Sequence, residues 1–198
     1  YLDGICSAIC SAWSQWQSMA AMTGIMVNAV TATMGQVVGP PWLPLIMASA
    51  PKGSPAEARY SNAIATAISN GWMAYQATIK VPGLPWYPAF AAFPGPMAPP
   101  MPNIPCPIAA LTQVDTSISA STLANAMVGL LGDPQALHHK QLFESVADAF
   151  EKCFMLWKVS TMVTNVLGMG PIPTFAPPYV PVGPVVAGSA NMPPGGFV

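Results

Sequence analysis

Three stretches of the chain place apolar residues at one shared spacing. The first has Ile5, Ala8, Ile9, Trp13 and Trp16, followed by Gln17. The second has Ile64, Ala67, Ile68, Trp72 and Tyr75, followed by Gln76. The third has Val146, Ala149, Phe150, Phe154 and Trp157, followed by Lys158. Steps of three and four residues bring the apolar members onto one face of a helix, and the aromatic pair at i and i+3 ends the stripe. Such a face cannot be buried by the helix that carries it, so each stripe requires a partner.

A second recurrence follows each helix. Pro40-Pro41-Trp42, Pro85-Trp86-Tyr87 and Pro173-Thr174-Phe175 all read Pro-x-aromatic, and eleven residues beyond each first proline stands Pro51, Pro96 or Pro184. Proline lacks a backbone N–H, so these segments predict extended arms that dock through side chains and form little sheet. The chain therefore reads as mainly α, with three helix-plus-proline-arm repeats, extended Pro-rich segments and little β. The repeats span residues 1–53, 54–110 and 111–198, the last including a connecting helix.

The pattern predicts a first helix over 4–37, weakened at Gly24 and Gly35. A second begins at Pro55, capped by Ser54 with Glu57 three residues on, and runs to about Lys80. An extended arm covers 81–110, and a short helix over 116–131 ends at Gly132. Asp133-Pro134 opens the last helix, which stops at Gly168. Met19–Val38 is charge-free and long enough to cross a membrane, but Thr23, Asn28, Thr31, Thr33 and Gln36 make it polar, so a buried helix is expected.

Composition sharpens this picture. Only 7% of residues are charged, against about 25% in an ordinary soluble protein. Residues 4–51, 81–114 and 159–198 contain no Asp, Glu, Lys or Arg. Surface so poor in charge is expected to be covered by other subunits or by lipid. With 53% hydrophobic residues the chain has enough apolar surface to fold, which argues against disorder. A net charge of −1 without a basic run excludes nucleic-acid binding through phosphate neutralisation. No basic n-region precedes an apolar h-region, so no signal peptide is expected.

Candidate chemistry is sparse. Cys6, Cys10, Cys106 and Cys153 show no CxxC or Cys/His pairing, so they read as small buried hydrophobes, or as inter-subunit disulfides in an extracellular particle. His138 and His139 are adjacent rather than i, i+4, and read as exposed first-turn residues. Lys140 with Glu144 and Asp148 with Lys152 form i, i+4 pairs on a solvated helix face. No nucleophile elbow or phosphate-binding loop is present, and Gly168-Met169-Gly170 runs straight into proline. We therefore expect no enzyme activity, no cofactor, no metal and no small-molecule substrate.

The low-charge helices with Pro-x-aromatic arms, over about two thirds of the chain, resemble the small structural subunits of bacteriophage tails, connectors and contractile-injection particles. The resemblance implies a virion or extracellular-particle component whose partners are copies of itself and other structural subunits. The alternative is a membrane-associated or membrane-permeabilising protein. Trp13, Trp16, Trp72, Tyr75, Phe154 and Trp157 are the expected core, and Tyr87, Phe90, Phe93, Phe175 and Tyr179 the expected contacts between chains.

Overall fold

The computed structural model describes residues 1–85, 87–177 and 182–198, with backbone alone over 82–85. Helices α1 (Leu2–Met19), α3 (Pro55–Thr78) and α5 (His139–Ser160) carry the three apolar stripes. Two shorter helices, α2 (Trp42–Ser49) and α4 (Ala120–Leu131), precede α3 and α5 in the chain. Local signals set several of their ends. Ser54 Oγ accepts the Glu57 N–H at 3.2 Å ahead of α3, and Gly132 closes α4 in the left-handed region at φ 62°.

The expectation of a mainly α chain with little β is overturned: the fold is α+β. Strands β1 (Ala21–Asn28), β2 (Thr31–Val38), β3 (Val81–Pro85), β4 (Met97–Pro102), β7 (Leu167–Pro171) and β8 (Gly188–Met192) form an antiparallel sheet. Their order is β3-β2-β1-β8-β7-β4. The short strands β5 (Cys106–Pro107) and β6 (Met162–Val163) pair separately.

Where one helix over 4–37 was expected, α1 stops at Met19 and a hairpin follows. Met22, Ile25 and Val27 are buried on β1, and Ala32, Gly35 and Val37 on β2. That is a period of two broken by a bulge, with Gly24 at φ 70° absorbing the extra residue. The Pro-rich segments also form sheet, against expectation, and their prolines explain which strands they become. β3 and β4 occupy the two edges, where each has one paired side and a missing N–H costs no ladder bond.

The last helix starts at His139 rather than at Asp133-Pro134. His138 takes φ 57°, and Asp133 Oδ1 accepts the Gln135 N–H in a turn. His139 is buried against Phe143 instead of exposed. The helix ends at Ser160, and the segment up to Gly168 holds the short strand β6 and the start of β7 instead.

The chain divides into two compact units and passes between them repeatedly. Residues 1–19, 39–77 and 114–158 form a helical unit, and residues 20–38, 78–113 and 159–198 a strand unit. Segments 1–53, 54–110 and 111–198 each contribute to both.

Every pass into the strand unit has the same start. Five residues beyond the second aromatic of each stripe, Ala21, Lys80 and Met162 pair with the far ends of their own passes, at Val38, Thr112 and Val198. One residue further, the buried Met22, Val81 and Val163 each face a strand of another pass: Met192, Met34 and Cys106. The cross-pairing runs first to third, third to second and second to first, so the ring closes.

Candidate interaction surface

The helical unit closes a ring of its own through its aromatic side chains, from the first helix to the second, the third and back. Trp16 meets Trp72 edge-on at 4.7 Å, Tyr75 meets Phe154 at 4.8 Å, and Trp157 meets Trp13 at 5.7 Å. In each case the second aromatic of one helix packs on the first aromatic of the next. Hydrogen bonds follow the same sense: Trp16 Nε1 donates to Gln76 Oε1 at 2.9 Å, and Trp157 Nε1 to Gln17 Oε1 at 3.0 Å. At the remaining polar position, Lys158 binds Asp115 at 2.7 Å and sits over the Phe154 ring. That bond holds the Asp115 carboxyl below its usual range.

Trp16, Trp72, Tyr75, Phe154 and Trp157 are buried. Trp13 is only half-buried and opens onto a groove between α1 and α5. Trp42, which the proline motif had grouped with Tyr87 and Phe175, belongs to the helical unit and packs 4.4 Å from Trp72. Tyr87 and Phe175 belong to the strand unit, so Pro-x-aromatic does not mark equivalent places. Among the described residues, the buried indole N–H groups of Trp13, Trp42 and Trp72 meet no acceptor, which their largely aromatic surround explains.

The expected contacts between chains are placed differently from one another. Tyr87 and Phe90 stack on each other inside the strand unit, and the Tyr87 hydroxyl donates to the Val166 carbonyl at 2.8 Å. Phe93 and Phe175 are half-buried, and Tyr179 lies outside the described residues. What sequence reasoning missed is the outward face of the sheet, where Met26, Ser189 and Met169 stand in register on adjacent strands. Methionines spaced along Pro- and Gly-rich segments were the available signal.

The groove beside Trp13 is about 110 Å³ and is walled by Cys6 and Cys10 on α1 and by Ala149 and Cys153 on α5. Cys10 and Cys153 are exposed, and Cys6 and Cys106 half-buried, so the reading of all four as buried hydrophobes is corrected. Burial pushes the Cys6 thiol above its ordinary range, with Cys10, Asp3 and Cys153 adding to the effect. Among the described residues no group of three His, Cys, Asp or Glu side chains could hold a metal ion. None of the described helices is long and apolar enough to cross a membrane.

No protein-family model, curated protein or solved structure matches this chain.

Proposed function

We propose that the protein is a non-catalytic structural subunit of a large protein particle, such as a phage virion or tail-like assembly. In this reading its strand unit is covered by neighbouring subunits, copies of itself among them. One observation carries the reading: Lys80 is the only Asp, Glu, Lys or Arg in the whole strand unit, all the others lying in the helical unit. A free surface that is solvated by a single charge invites association. Large apolar side chains stand exposed on that unit, among them Met26, Met34, Met97 and Val182.

The test is the mass of the purified protein in buffer, by sedimentation or light scattering, over a range of concentrations. The reading expects concentration-dependent assembly, and expects Met26→Glu with Met169→Glu to reduce it while the circular dichroism spectrum is kept. A monodisperse monomer at high concentration would overturn it. Recovery only in detergent would favour the membrane alternative.

A further inference from the structure

We propose that the groove between α5 and α1 is a docking site for a short, uncharged amphipathic helix supplied by another polypeptide. The inference stands apart from the assembly reading, which rests on the strand unit. Its basis is that the helical unit has three such grooves, and the chain itself fills the other two.

Residues 39–51, with α2, line the groove between α1 and α3. Trp42 at the start of the segment packs on Trp16 and Trp72. Pro51 at its end meets Gly4 of α1 and accepts a hydrogen bond from Ser61 of α3 at 2.7 Å. Residues 115–133, with α4, line the groove between α3 and α5 in the same direction. Asp115 holds Lys158 near the C-terminal end of α5, Ser117 donates to Gly71 of α3, and Glu151 of α5 accepts the Ala120 N–H. At the far end Asp133 and the Leu131 carbonyl meet Arg59 of α3.

Counting back from the second aromatic of each stripe shows what these coverings hide. Ala8, Ala67 and Ala149 are counterparts: the first two are 1% and 2% exposed, whereas Ala149 is exposed. Four residues on, Ala12 is buried and Gly71 lies under Ser117 and Leu123, whereas Cys153 is exposed. The opposite wall repeats the contrast. Ala65 and Ala147 are fully buried, but their counterpart Cys6 on α1 is half open. Ser69 is buried and Glu151 is bonded to the covering segment, but their counterpart Cys10 is exposed. Both walls of the third groove are thus built from positions that the other two grooves keep covered.

The covering segments define the chemistry of the missing occupant. Residues 39–51 contain no charged residue, and 115–133 carries charge only at its two ends, Asp115 and Asp133, so that the length lying over each groove is uncharged, as are the side chains that wall the third groove. Each segment buries bulky apolar anchors, Trp42 and Ile46 or Ile118 and Leu123, with Trp42 against Trp16 and Trp72 and Leu123 against Gly71. A helix of two or three turns buries less than the roughly 1,200 Å² of a standard interface. It therefore fits a tail or loop of a partner that also binds elsewhere, rather than a second globular face.

The experiment uses the full chain and, as the probe, a labelled synthetic peptide of residues 40–51, followed by fluorescence anisotropy. Saturable binding is expected, weakened at least ~10-fold by Ala149→Arg, which puts a long cation into an apolar groove. Leu156→Arg, at an exposed α5 position outside the groove, should leave affinity within about twofold, as expected of a site away from the contact. Saturating peptide should also slow alkylation of Cys10 and Cys153. Absence of saturable binding by this peptide and by one of residues 114–133 would overturn the proposal. So would equal losses in the two variants. Protection of both thiols by raising protein concentration alone would replace the separate partner with a second copy.

Discussion

Trp72 shows how a single residue can hold the helical unit together. It contacts Trp13, Trp16, Trp42, Phe154 and Trp157 and is about 1% exposed. Removing so large a buried ring leaves a cavity that the surrounding rings cannot close. Trp72→Ala is expected to cost about 3–5 kcal/mol, read as a lower Tm. Two buried tyrosines make a different prediction. Burial raises both Tyr75 and Tyr87 well above the ordinary tyrosine value, with Asp115 adding to the rise at Tyr75. Each keeps its proton in the folded state at a pH where the unfolded chain has lost it. Their contribution is therefore fully present below about pH 10 and is lost as pH rises above it, by about 1.4 kcal/mol per pH unit for each tyrosine. Denaturant midpoints should be flat through this range and fall above it, and Tyr87→Phe should make the fall shallower.

Among the elements, β8 links the two halves of the sheet, because it joins β1 to β7. Gly188, where it begins, has the Met169 carbonyl 2.6 Å and the Val27 carbonyl 3.2 Å from where a Cβ would stand. Both are backbone atoms of the flanking strands and cannot turn aside. Gly188→Val is expected to cost at least about 1–3 kcal/mol through overpacking, with loss of strand signal in circular dichroism. The position of β8 also changes what a truncation means. Residues 171–198 include the third Pro-x-aromatic arm, and they supply β8 and the Val198 that pairs with Met162. Removing them would dismantle the sheet as well as any contact between chains.

For the whole molecule, charge is divided almost completely between the two units, with Lys80 alone in the strand unit. Association through that unit has little Coulombic attraction to screen. The assembly measured above should therefore survive an increase from about 0.05 to 1 M sodium chloride and strengthen in sulfate. Dissociation in salt would place the contacts on the charged faces of the helical unit instead, such as the exposed pair of Asp148 and Lys152.

By itself the sequence determined the three aromatic stripes and their common spacing, the capped start of α3 at Ser54 and Pro55, the end of α4 at Gly132, and the absence of charge from long stretches. These are local properties, set by side chains within a few residues of one another. The spacing also contained the small residues Ala8, Ala67 and Ala149 that wall the three grooves, but not which of them would be left open. That required knowing that α2 and α4 cover two grooves, and covering depends on distant contacts such as Ser117 with Gly71. Tertiary structure likewise decided that 21–38 forms a hairpin rather than helix, and that the Pro-rich segments become edge strands. The physical reason is that a hairpin is held in a sheet by hydrogen bonds to further strands, and β1 and β2 find theirs, β8 and β3, far along the chain. Met22 finds Met192 across most of the sequence, and no local pattern of apolar residues specifies that partner.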